Sequence, residues 1–231
     1  MAAGWLPSFT SIFHLKRIYE ARGRRDLEIE QELEVQINTL EEGIHSEIEG
    51  DVVEIVDELR RGNLAVLNDD DNFVSFARFI AMQHLRTPLM IGRMTRALLE
   101  FPQLKCNVDA IMGPLRAVYS TTMGAGIFFR RTLSQITLID APSDARFIAG
   151  DHPLVNLRAV EVNDEPPTEL EIYYPLTPSL ALILDFSGQC AGRGRKTISA
   201  DDVRKYNGII ASIALEQVYA ARRADLEPDS A

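Results

Sequence analysis

The spacing of apolar residues changes once along the chain, near Arg131, and that change limits the fold more than any other feature of the sequence. Ahead of it, apolar side chains recur every three or four residues, the interval that lines them along one side of an α-helix. Leu33, Ile37, Leu40, Ile44 and Ile48 form such a stripe, with Glu28, Glu30, Glu32, Glu34, Glu41, Glu42 and Glu47 on a solvated face. Beyond Arg131, Ile136, Leu138, Phe147 and Ile148 sit in short runs, and Glu169-Leu170-Glu171-Ile172-Tyr173 alternates as a half-buried strand does. Leu180 to Phe186 is a continuous apolar run of strand length. The expected class is α+β: a mostly helical layer packed on a small, largely antiparallel sheet from the C-terminal half, with helices over one face. Read as a single domain over 1-231, it has a helical region at 20-130, a sheet-forming region at 131-198 and a C-terminal helix at 200-223.

Boundary signals refine this outline. Gly50 suggests a break before Val52, Val53, Val56 and Leu59 continue the first stripe, so two helices or one kinked helix fit. Asn68-Asp69-Asp70-Asp71-Asn72 precedes an apolar-periodic run and reads as a helix cap; it lacks the alternating ligands, central Gly and terminal Glu of a calcium loop. Pro88 predicts a kink or an end near Thr87. A further helix is expected from about Val108 to Tyr119. Asn163 to Pro167 and Gly188 to Lys196 read as loops. Ser199 or Asp201 caps a last helix carrying Val203, Tyr206, Ile210, Ile213, Ala214 and Val218, and the polar tail after Arg223 reads as frayed.

Composition excludes several function classes. The formal charge of −10 argues against general affinity for nucleic-acid phosphate or anionic lipid. Arg130-Arg131 beside Phe128 and Phe129, and the Gly192-Arg193-Gly194-Arg195-Lys196 run, are the local exceptions that could meet a phosphate or stack on a base. Cys106 and Cys190 stand far apart and match no zinc or redox spacing, which favours the cytoplasm over an oxidising compartment. The opening Met1 to Pro7 lacks the pattern of a secretory signal, and Gly208 to Ala221, with Glu216 and Gln217 inside it, is too short to span a membrane. A soluble cytoplasmic protein without a membrane anchor is expected.

Three short patterns concentrate the polar chemistry: Gln83-His84-Leu85-Arg86-Thr87-Pro88, then Phe147-Ile148-Ala149-Gly150-Asp151-His152-Pro153, then Tyr174-Pro175-Leu176-Thr177-Pro178-Ser179-Leu180-Ala181-Leu182. In order and spacing they resemble domain-of-unknown-function family 4238, from about Tyr19 to the Asn207-bearing last helix. That family has an Arg-Thr-Pro-like element on a helix, a Ser-Asp-Asn-Pro-like turn and a Pro-Leu-Ser-Pro-like strand entry. This chain departs from it in two places. It has Trp5-Leu6-Pro7 where members typically open with a His-Tyr-Val-Pro-like segment, and His152 where Asn is more usual. The resemblance implies no activity.

Read physically, Arg86 is a permanently charged fork suited to a carboxylate or phosphate, and Asp151 is a partner for it across a strand-to-turn junction. The pair could bind an anion, or simply tie the helical layer to the sheet. His84 and His152 could move protons or ligate a metal, with Asp151 as a third metal candidate, although none belongs to a recognised zinc motif. No cofactor is expected. Gly124-Ala125-Gly126 reads as packing or a bend and not as a nucleotide loop. Two functional readings follow. The first is a non-catalytic binding or regulatory protein whose helical layer recognises a protein partner. The second is a small-molecule or phosphate-ester hydrolase with Gln83, Arg86, Asp151 and His152 between helix and sheet. A homo-oligomer using the Leu33 to Ile48 stripe as a coiled-coil-like seam is a third arrangement, short at about two heptads.

Overall fold

The computed structural model describes residues 27–100, 108–160, 169–188 and 192–226. It divides between Asp51 and Val52 into two units. Helix α1 (Leu27–Arg60) runs through that boundary without a break. The interruption expected at Gly50 does not occur: no neighbouring atom lies within 4 Å of where its side chain would be, and the flanking residues sustain the helix. The stripe side chains at Leu33, Ile37, Leu40 and Ile44 lie outside the described set, as do Cys106, Cys190 and the loop at 163–167.

Within the second unit, Asp69 caps helix α2 (Asp70–Leu85) by accepting from the Asn72 N–H at 3.0 Å, as the acidic run predicts. Helix α2 buries Phe73, Phe76, Ala77, Phe79, Ile80, Ala81, Met82 and Leu85, so it is apolar on nearly every side and needs partners on opposite flanks. Helix α4 (Val108–Phe129) supplies one, a full turn and more beyond the expected Tyr119 end, with Phe128 against Phe73 at 6.4 Å. The two backbones approach closely at Gly124, where a Cβ would lie 3.0 Å from the Arg78 Cα. The sheet supplies the other flank, through Phe79 on the edge of Tyr174 at 6.3 Å. Between them, Thr87 ends α2 and caps helix α3 (Pro88–Leu99), whose first position is the proline that forces the break.

The sheet has five strands in the order β3 (Val155–Asn156), β4 (Glu171–Thr177), β5 (Leu180–Asp185), β1 (Gln135–Asp140) and β6 (Gly192–Thr197). All neighbours are antiparallel except β1 and β6. Among the described residues six helices accompany it, the fifth, α5 (Leu157–Val160), being one turn, which gives the expected α+β class. Register places Ile136, Leu138, Leu182, Leu184, Ile172 and Tyr174 on one face and Ile139, Ala181, Ile183 and Tyr173 on the other. Both faces are covered. The second packs under helix α6 (Ala200–Ile213), where the Tyr173 and Tyr206 rings stack at 4.5 Å and Val203 and Ile210 join the same buried cluster. The expectation of one covered face missed this because α6 lies far along the chain from the other helices.

Two further corrections have physical reasons. Gly192 to Lys196, read as a loop, is the edge strand β6; Arg and Lys are tolerated there because an edge strand leaves their side chains exposed. Arg195 bonds both oxygens of Asp140 at 2.7 and 2.8 Å and lies across Gly62, whose φ of +87° and lack of a Cβ make room for it. Helix α6 stops at Ile213, short of the expected 223. Val218–Tyr219 forms strand β7 against β2 (Ala149–Gly150) instead. The tail is not frayed where described: Arg222 grips Asp225 around a 3₁₀ turn at Arg223–Asp225.

The close approach at Gly124 makes a paired test. Gly124→Ala is expected to lose about 1 kcal/mol in urea unfolding, the crowding outweighing the gain in helix propensity. Gly126→Ala, with open space around it, is expected to gain about 0.5–1 kcal/mol.

Candidate functional site

The first and second sequence patterns meet at the C-terminal end of α2. Thr87 fixes that end: its hydroxyl donates to the His84 carbonyl at 2.9 Å and accepts from the Met90 N–H at 3.4 Å. Gln83 is 7% exposed and His84 is partly buried. Opposite, the Gly150-Asp151 turn is tied to the segment after α6. The Asp151 N–H donates to the Gln217 carbonyl at 3.0 Å, and its carboxylate accepts from the Leu215 N–H at 3.1 Å and the Glu216 N–H at 2.7 Å. Those bonds end α6 where they do, and they turn His152 inward to 4% exposure.

His152 then meets His84, ring centres 5.6 Å apart and planes at 68°. The Nδ1 atom of each ring is buried without a hydrogen-bond partner. Both imidazoles are pushed from 6.5 to about 4. For His84 the causes are burial, then His152, then Arg93; for His152 burial and Arg93 act downward and Asp151 acts upward. At neutral pH both are uncharged. Burial raises the Asp151 carboxyl, but the backbone N–H groups of Glu216, Leu215 and Gln217 outweigh it and hold that carboxyl below its usual value.

Arg86 is the exposed residue that ends α2, and Asp151 takes its hydrogen bonds from the backbone of Leu215 and Glu216. Of Gln83, Arg86, Asp151 and His152, expected to converge, Gln83 is buried on the last turn of α2, His152 is buried against His84, the Asp151 oxygens face the backbone of Leu215 and Glu216, and Arg86 is exposed; among the described residues the three metal candidates His84, Asp151 and His152 form no cluster arranged for a metal. His84 also lines a cavity of about 270 Å³ with Arg130, Asn156, Glu169, Met123 and Leu154. Neither Asn156 nor Glu169 carried a sequence signal for a site. Asn156 is placed by its role in the sheet, accepting from the Glu171 and Arg158 N–H groups. Arg130 and Arg131, candidates for phosphate contact, have structural bonds: Arg130 donates to the Phe186 carbonyl, and Arg131 holds Asp70 through two bonds while lying over Phe128 at 3.9 Å.

A second concavity lies between α3 and α4. It holds about 430 Å³ and is lined by Leu85, Met94, Leu98, Leu115, Tyr119 and Met123, among others. The same two helices expose large apolar side chains, with Leu99 67%, Val118 62% and Tyr119 50% exposed.

The sequence model of the family described as "Protein of unknown function (DUF4238)" matches residues 8–224. The chain belongs to that family. No curated protein and no solved structure matches the chain. No described helix of this DUF4238 member is long and apolar enough to cross a membrane.

The histidine pair predicts a pH dependence. Because folding depresses both imidazoles, their contribution is complete above the unfolded value of 6.5 and is lost as pH falls toward about 4. Two such groups are expected to remove about 2 kcal/mol of unfolding free energy between pH 6.5 and 5.5 in chelator-containing buffer. His152→Phe is expected to flatten that slope by about half, measured by urea unfolding at each pH.

Proposed function

We propose that this chain is a binding protein whose helical layer recognises another protein, and that the recognised element is an amphipathic helix with an acidic flank seated between α3 and α4. The apolar groove of about 430 Å³ carries this reading. Its lining combines aliphatic residues with Met94 and Met123, whose flexible thioethers adapt to varied apolar surfaces. The two helices that wall it also expose Leu99 and Val118, apolar side chains that a protein partner would cover. Helix-in-groove recognition uses this kind of surface, with anchors spaced three and four residues apart on the incoming helix. Charge selects the flank: α3 carries Arg93 and Arg96 and no carboxylate, a local excess of positive charge in a chain of net charge −10.

The hydrolase alternative has less geometric support. Arg86, its anion holder, is at the surface, and the Asp151 oxygens are committed to backbone N–H groups.

A labelled helical peptide with leucine anchors and a glutamate flank serves as the probe, alongside its lysine-flanked counterpart. Fluorescence anisotropy is expected to give saturable binding of the first, at least about tenfold tighter than the second, and Leu98→Asp is expected to abolish it. Binding of neither peptide, or binding that Leu98→Asp leaves unchanged, overturns the proposal.

A further inference from the structure

We propose that His84 and His152 form a bis-imidazole site for a borderline divalent transition metal of the Zn²⁺ and Co²⁺ class, with the remaining coordination positions filled by water or by a group entering the His84 cavity. The first support is spacing. With about 2.1 Å from metal to imidazole nitrogen and about 1.1 Å more to the ring centre, two rings sharing one tetrahedral ion stand about 5.2 Å apart. The observed centres are 5.6 Å apart. The second support is the pair of unmet Nδ1 atoms, both buried and without a protein partner. A buried polar atom left unpaired destabilises the fold, and an ion shared by both rings satisfies both at once. His152, at 4% exposure, is fixed in this position by the Asp151 turn rather than by any bond of its own ring.

The surrounding field has both signs: Arg93 acts against a cation at both rings, and Asp151 acts in favour of one at His152. Imidazole ligands select Zn²⁺, Co²⁺, Ni²⁺ and Cu²⁺ over Mg²⁺ and Ca²⁺, which require oxygen. Among the described residues no cluster of three or more His, Cys, Asp or Glu is arranged for a metal, so the protein supplies two ligands here and the ion keeps open positions. An open position is what a site needs in order to bind a further anionic group. Glu169, Asn156 and Arg130 line the cavity on the His84 side, where such a group would enter.

The test uses the full chain, stripped with chelator and titrated with Co²⁺. One equivalent is expected to bind, with visible absorption of a coordinated ion and paramagnetic broadening of the His84 and His152 ring signals, while His45 is unaffected. His84→Phe and His152→Phe, checked for folding by their unfolding transitions, are each expected to weaken binding at least about tenfold. A His14→Ala/His45→Ala double variant is expected to bind as the parent does. Should either Phe variant fail to fold, the ring signals of the parent decide the matter. Absence of saturable Co²⁺ binding, broadening confined to His14 or His45, or binding unchanged in both Phe variants overturns the proposal.

Discussion

Helix α2 cannot be stable with one side in water, and the second unit is organised around meeting that demand. Its buried residues point in nearly every direction, so α4 and the sheet must flank it together. Each flank is reached by a specific contact. Gly124 lets α4 approach the α2 backbone at Arg78, and Tyr174 extends from β4 to Phe79. Neighbouring Tyr173 points the opposite way on the same strand and stacks on Tyr206 of α6, which couples the two covers of the sheet through adjacent residues.

The same helix positions the polar chemistry. Its C-terminal turn has to stop at Thr87 because Pro88 follows, and the stop leaves His84 facing the Asp151 turn. Asp151 acts on that meeting from the other side. Its carboxylate satisfies the N–H groups of Leu215 and Glu216, ends α6, and holds the chain that carries His152. The apolar groove is also set by this turn, since Leu85 lines it from α2 while α3 and α4 form its walls. Groove and histidine pair are thus adjacent products of one helix ending.

Much of the fold was legible locally. The acidic run ahead of Phe73 predicts a cap, and Asp69 provides it; alternation from Glu169 to Tyr173 predicts a strand, and β4 is there. Where local reading failed, the deciding interaction was distant in sequence. Gly192 to Thr197 has a loop's composition, and only pairing with β1 makes it a strand. Val218 continues the helical period of α6, but Gly150 and Asp151, more than sixty residues earlier, draw it into β7. The candidate site divides the same way. His84, Asp151 and His152 stood out in the sequence, whereas Asn156 and Glu169 are cavity residues through the placement of β3 and of the chain just ahead of β4.

Apolar period, turn chemistry and capping residues are properties of neighbouring residues, so the sequence by itself determined the α+β class, the helix end at Thr87 and the family. Which charges pair is a property of three-dimensional distance. The tertiary structure alone decided that Asp151 serves backbone N–H groups rather than Arg86, that two histidines sixty-eight positions apart share one buried contact, and that α6 covers the second face of the sheet. Burial then set the histidines' charge, because removing an imidazole from water favours its neutral form, and no local pattern encodes how much water a folded neighbour will exclude.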